Sequence, residues 1–270
     1  MKIIEKFVMG KKGDANLCED LIFCNDKFVA VIDGASSKSN PYYPKKKSGR
    51  LAAEAVYKAL ETMPENTCAR DCIMRLNLSV RAEYGDFLQQ AVLDESIQMF
   101  ANLIMYSNCF REIWSFGDCQ CLINKKKISF EKKIDIINAQ IRAQYIRRLI
   151  DDGYTEKELK ENDISSEYIE QYLQEGLKHA NSKSELGYDV LNGMDIICDN
   201  VRVVATGGRS EIVLASDGYP ELFDTLEKSE GYLAEVLAED CLMYKKHKSV
   251  KGVQKGDLSF DDRAYIRFIG

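Results

Sequence analysis

Short apolar runs broken by turn signals mark the first third of the chain. Leu21-Ile22-Phe23 and Phe28-Val29-Ala30-Val31-Ile32 flank Asn25-Asp26-Lys27, which predicts strand, turn and strand. A loop rich in Ser, Asn, Pro and Lys follows from Gly34 to Ser48. Leu51, Ala52, Ala55, Val56, Ala59, Leu60 and Met63 then recur at helical spacing and form one apolar stripe, the signature of a helix facing a core. A second helix is expected from about Arg70 to Tyr84. Extended runs return at Asn102 to Tyr106 and Glu112 to Phe116; Gly117-Asp118 makes a turn, and Cys119 to Ile123 continues extended. From Ile134 to Asn181 the period becomes helical, carried by Ile136, Ile137, Ile141, Tyr145, Ile146, Leu149 and Ile150. Thr155-Glu156-Lys157-Glu158 is a capping box, and a further helix is expected from Glu167 to His179. Val201 to Val204 reads as a strand, Gly207-Gly208 as a hairpin turn, and Ile212 to Ala215 as its partner strand. A helix from about Glu230 to Tyr244 precedes a last strand, Ala264 to Ile269. Strands and helices without regular alternation favour an α+β layered architecture. With no repeat and no Pro- or Ser-rich linker, residues 1–270 are expected to form one domain with a helical region at about 134–193.

Composition narrows the class. The 270 residues carry 37 Lys plus Arg against 43 Asp plus Glu, a net charge of −6, which disfavours a protein that grips nucleic acid through a basic face. No apolar run approaches a membrane span, and Lys2, Glu5 and Lys6 interrupt any secretion-signal core, so a cytoplasmic protein with no membrane partner is expected. Nine scattered cysteines are then reduced thiols. Without a Cys-x-x-Cys pair, and with only His179 and His247, a cysteine-histidine zinc site is disfavoured. Cys119 and Cys121 share one strand face, where packing is the expected role, and the two histidines are expected at the surface or at helix ends. Of the basic runs, Lys45-Lys46-Lys47 is expected nearer the site mouth than Lys125-Lys126-Lys127.

The informative pattern is acidic. Glu19-Asp20 leads into a strand; Asp33-Gly34 and Asp217-Gly218 end apolar runs; Asp261-Asp262 opens the final strand. Any one Asp-Gly is ordinarily a turn. Strand ends can converge in a layered fold, however, and gathered carboxylates must either take up protons or bind cations. An all-oxygen donor set selects hard divalent ions, magnesium or manganese.

Asn16-Leu17-Cys18-Glu19-Asp20, Phe28 to Gly34, Trp114-Ser115-Phe116-Gly117-Asp118, Ile212 to Gly218 and Asp261-Asp262, in that order, resemble the metal-dependent protein phosphatases of type 2C over nearly the whole chain. The resemblance implies a four-layer α-β-β-α sandwich of two antiparallel sheets flanked by helices. It implies hydrolysis of phosphoserine and phosphothreonine in phosphorylated protein partners by direct attack of a hydroxide bridging two Mn2+ or Mg2+ ions. Asp33 would bridge the metals, with the Gly34 carbonyl helping to hold one and Asp217 and Asp261 binding the other. Glu19 would bind through water, and Asp20 and Asp262 would support the site. Asp118, with Glu221, would serve a third, weaker metal. The family's phosphate-binding Arg has no counterpart before Glu19, where Lys11 and Lys12 lie a little upstream, and Ala35 stands where eukaryotic members carry a general-acid His. These departures leave two alternatives: a catalytically weak phosphatase-fold regulator that binds partners, and a phosphatase of small phosphate esters. The helical region, above all Glu185 to Gly193, is either a selector of substrate or a structural cover for one sheet.

Overall fold

A computed structural model describes residues 1–37, 42–44, 46–128 and 130–270. Part of the expected loop, Lys38 to Pro41 with Lys45, lies outside the described residues. In chain order the elements are β1 (Lys2–Met9), β2 (Leu21–Cys24), β3 (Phe28–Ala35), α1 (Ser48–Glu61), α2 (Ala69–Ala82), α3 (Leu88–Leu93), β4 (Phe100–Ser107), β5 (Glu112–Phe116), β6 (Gln120–Ile123), β7 (Lys126–Ile128), α4 (Lys133–Asp151), α5 (Glu156–Glu161), α6 (Ile164–Leu177), β8 (Arg202–Ala205), β9 (Glu211–Ala215), α7 (Leu226–Glu239) and β10 (Arg263–Ile269). They build two antiparallel five-stranded sheets, ordered β1-β10-β9-β6-β7 and β2-β3-β4-β5-β8.

Strand alternation sets the layers. On β3, Val29 and Val31 point inward and meet Ile212, Leu214, Ile266 and Phe268 of the other sheet. Ala30 and Ile32 point outward and meet Ala52, Val56 and Leu60 of α1 and Ile73 and Leu76 of α2. The expected apolar stripe is therefore the buried face of α1. On the opposite side, Val213 and Tyr265 pack outward under Leu233 and Val236 of α7. The result is helix, sheet, sheet, helix. Cys119 and Cys121 are buried between the sheets, and the nine cysteines are free thiols.

Three features differ from the sequence expectation. β1, with exposed and half-buried residues only, pairs along β10 as an edge strand; Lys2, Glu5 and Lys6 break up its apolar residues and hide it in the sequence. The Gly207-Gly208 hairpin does not form. β8 pairs with β5 in one sheet and β9 with β10 and β6 in the other, so the glycines carry the chain between layers. Thr206 N–H bonds the Arg111 carbonyl and Ser210 N–H the Gly270 carbonyl, and these hold the crossing open. The last helix begins earlier, capped by Thr225, and stops at Glu239 because the Asp240 carboxylate accepts the N–H groups of Tyr244 and Lys245 and turns the chain.

The edge of the helical region meets a sheet, where Leu191 pairs with Ala101 of β4, but its helices pack elsewhere. Ala143, Ile146 and Leu149 of α4 and Leu159 of α5 pack on Leu242 and Tyr244, in the segment after α7. Arg142, fully buried, fixes that segment by donating to the Leu242 carbonyl at 2.7 Å and by pairing with Asp163 at 3.2 Å. Among the described residues no helix is long and apolar enough to cross a membrane.

The chain passes from one sheet to the other at Gly117, between β5 and β6. Its φ of +119° is strained for any side chain. A Cβ there would also sit 2.5 Å from the Asn102 side chain. Gly117→Ala is expected to lower stability by about 1–3 kcal/mol, the usual scale of overpacking, read as a fall in the urea midpoint at unchanged m-value.

Candidate metal centre

Antiparallel pairing brings the end of one strand beside the start of the next, and here this happens in both sheets at the same end of the sandwich. Asp33 lies near the end of β3, directly opposite Asn102 on β4. Asp20 immediately precedes β2. Asp118 precedes β6 by two residues, Asp217 follows β9 by two, and Asp261 precedes β10 by two. Because Gln120 and Tyr265 both pair with Ala215, the last three share one edge.

Carboxylate oxygens of Asp33, Asp118 and Asp217 lie within 4.8 Å of one another. Asn102 Nδ2 donates to Asp33 Oδ2 at 2.9 Å and fixes that carboxylate. Lys132 Nζ pairs with Asp118 Oδ2 at 2.8 Å, and Lys251 Nζ with Asp261 Oδ2 at 2.6 Å. Buried Asp20 takes a hydrogen bond from Ser216, yet among the described residues its Oδ2 has no partner, and neither does Asp118 Oδ1.

The electrostatics follow from this crowding. Burial, then the neighbouring charge of Asp118, pushes the Asp33 carboxyl up to about 6. Burial and Asp33 hold the Asp20 carboxyl well above its ordinary range. Asp217 opens onto the cleft, but the crowded protein around it and the charges of Asp33, Asp118 and Asp261 raise it likewise. For Lys132 burial, and for the more exposed Lys251 the crowded protein around it, works against the ammonium charge, but the facing carboxylates outweigh it and raise both groups. Unpartnered buried carboxylate oxygens, mutual repulsion and an all-oxygen donor set fit a hard divalent cation.

The other expected site residues are placed as follows. Glu19 is adjacent but engaged, accepting from the Ser36 hydroxyl and from Lys47 Nζ at 2.8 Å. Gly34 sits where a Cβ would meet the Gly49 carbonyl at 2.5 Å, so its lack of a side chain lets α1 approach β3. Asp262 accepts the N–H groups of Lys11 and Glu19 at 2.8 and 2.7 Å, which ties the segment before β2 to the start of β10. Asp262 also lies within a nearby trio with Cys18 and Asp20, and these two N–H groups engage its carboxylate. Glu221 is not brought into the Asp33 group and faces Lys127 at 3.0 Å. Lys11 and Lys12 do not line the cleft. Of the basic runs, Lys127 lines it, whereas Lys46 pairs with Glu54. His247 also lines it and bonds the Tyr232 hydroxyl; His179 follows α6 and bonds Ser184.

The cleft over the carboxylates encloses about 940 Å³. Ile136 and Ala139 of α4 and Leu173 and Leu177 of α6 form an apolar wall, continued by Tyr188 and Val190. Lys246, Lys248 and Lys251 line another side. Sequence reasoning missed Asn102, Lys132 and Lys251. Asn102 could have been found from its place opposite Asp33; the lysines carry no local signal.

A carboxyl raised on folding binds its proton more tightly in the native state. In the metal-free protein this contribution to stability is fully present below the ordinary carboxylate range and is lost as pH rises through about 6, the value for Asp33. Chemical denaturation of chelator-treated protein from pH 4 to pH 7.5 should show this fall, and Asp33→Asn should flatten it.

Solved structures offer distant likenesses. The catalytic domain of the serine/threonine protein phosphatase PstP in complex with two manganese ions is 16% identical over 100% of this chain and 99% of that one, with a TM-score of 0.46. The serine/threonine phosphatase Stp1 from Staphylococcus aureus is 12% identical over 97% and 92%, with a TM-score of 0.49. RsbX in complex with magnesium is 13% identical over 98% and 97%, with a TM-score of 0.44. No family model matches the sequence, and no curated protein matches it. The two stacked antiparallel sheets between helical layers fit the four-layer sandwich that the sequence resemblance implies.

Proposed function

We propose that the chain acts as one catalytic unit, a metal-dependent phosphatase that hydrolyses phosphoserine and phosphothreonine in protein substrates. The observation that carries this reading is the meeting of Asp33, Asp118 and Asp217, flanked by Asp20 and Asp261, on the floor of an open cleft. Asp33, Asp217 and Asp261 would hold the metals, with Asp118 beside them. A pair of bound divalent cations supplies a nucleophilic water near neutral pH and positive charge for the phosphoryl oxygens.

The chain's own residues do the rest. Asn102 orients Asp33 by its 2.9 Å hydrogen bond. Asp20 adds negative charge behind Asp33, which favours cation binding. The site offers no covalent route through a thiolate: Cys119, next to Asp118, is buried, and burial with the surrounding carboxylates raises its thiol far above the ordinary range. The apolar wall of α4 and α6 suits a side chain flanking the phosphorylated residue, and the cleft's openness suits a peptide.

The test is phosphate release by metal-stripped protein with Mn2+ or Mg2+ added back. Activity should appear only with metal. Asp33→Ala and Asp217→Ala should each lower it by roughly 100-fold or more, the scale of losing one electrostatic stabiliser of a transition state. Absence of metal-dependent release from a phosphopeptide panel and from small phosphate esters, in folded protein, would sink the reading; release from small esters alone would reassign the substrate.

The wall makes a second prediction. Leu173→Ala should cost phosphopeptide kcat/KM roughly five- to thirty-fold, as expected for one buried leucine, and affect an aryl phosphate less.

A further inference from the structure

The two cleft lysines that pair with the clustered aspartates are held differently. Lys132 is fixed by several groups. Its ammonium pairs with Asp118 at 2.8 Å and lies 5.2 Å from the centre of the Tyr188 ring, and the side chain is only 14% exposed. Among the described residues the Lys251 ammonium has one side-chain hydrogen-bond partner, Asp261 at 2.6 Å, and its side chain is 48% exposed.

The backbone of Lys251 is the opposite of free. Its N–H donates to Ser249 Oγ at 3.1 Å. Ser249 N–H bonds the Met243 carbonyl at 3.0 Å, and Val253 N–H the Cys241 carbonyl at 2.8 Å, so the segment closes on itself at both sides of the lysine. Buried Arg142 donates to the Leu242 carbonyl at 2.7 Å and the Ser249 carbonyl at 3.3 Å. Gly252 packs so tightly that a Cβ would meet Arg142 Nη2 at 2.8 Å. A rigid base thus carries a long side chain with a single anchor, and that anchor belongs to the candidate metal centre.

One carboxylate oxygen at 2.6 Å from an ammonium cannot at the same time serve a divalent cation at full strength, because the two positive charges repel and share the same lone pairs. Loading of the centre therefore frees the ammonium. Its base does not move, so it stays above Asp261 and Asp217 at the cleft side, where the next anion to arrive is the phosphate of the substrate.

We propose that Lys251 is a two-position clamp: it holds Asp261 until Asp261 is committed to a divalent cation, and then holds a non-bridging phosphate oxygen. This gives the site a phosphate-binding cation from the segment between α7 and β10, although Lys11 and Lys12 do not line the cleft. The proposal rests on the metal-centre reading above.

The clamp predicts opposite effects of one substitution. Removing the ammonium removes a competitor for Asp261, so Lys251→Met should bind Mn2+ about three- to tenfold more tightly by titration calorimetry, the scale of a partly exposed ion pair next to a dication. The same variant, saturated with Mn2+, should bind inorganic phosphate roughly tenfold more weakly as a competitive inhibitor, the scale of one charge-assisted hydrogen bond. Lys251→Arg, which keeps the charge, should return both values toward those of the unsubstituted protein. A merely structural lysine would not move the two constants in opposite directions. Equal or weaker Mn2+ binding by Lys251→Met, or unchanged phosphate inhibition, overturns the clamp while leaving the metal centre standing. No Mn2+ binding by either the unsubstituted protein or the variant overturns both.

Discussion

Repulsion between crowded carboxylates is the constraint around which this molecule is arranged. Asp20, Asp33, Asp118, Asp217 and Asp261 influence one another electrostatically, and desolvation together with these charges raises the proton affinity of Asp20, Asp33 and Asp217. Such a concentration of charge persists only if something neutralises it. In the protein alone, Lys132 and Lys251 neutralise part of it and proton uptake relieves more. A cation would relieve the remainder. The cleft is open on the side from which a cation and a phosphate would come, and closed by apolar helices on another.

The carboxylates were legible in the sequence because each follows or precedes a strand by a fixed small offset, and because antiparallel pairing turns such offsets into neighbours. Asp33-Gly34 and Asp217-Gly218 look like turns in isolation and become a site only in combination. The α1 stripe was legible for the usual reason: Ala52, Val56 and Leu60 keep helical period against a flat apolar sheet. What failed was non-local. Gly207-Gly208 has the composition of a hairpin, but the pairing of β8 with β5 and of β9 with β10 is decided by residues far away in the chain. Lys132 and Lys251 bear no mark in the sequence, since their role depends on which carboxylates the fold brings to them.

The helical region shows the same limit of local pattern. Its period was clear, but its partner was not. Ile146 and Leu149 bury themselves against Leu242 and Tyr244 rather than against a strand. Arg142, paired with Asp163 and donating to the Leu242 and Ser249 carbonyls, then welds the helices to the segment carrying Lys251. A wall of the cleft and a charge within it are thus one mechanical piece.

Asp33 and Asp20 hang from the sheet of β2 and β3, whereas Asp217 and Asp261 hang from the sheet of β9 and β10. Asp118 sits on the strap between them. An ion shared by Asp33 and Asp217 would therefore be a rivet through the sandwich, resisting the sliding of one sheet over the other that apolar side chains permit most easily. Ligation and cohesion of the two halves would then be thermodynamically linked, each strengthening the other in proportion to the logarithm of free cation concentration.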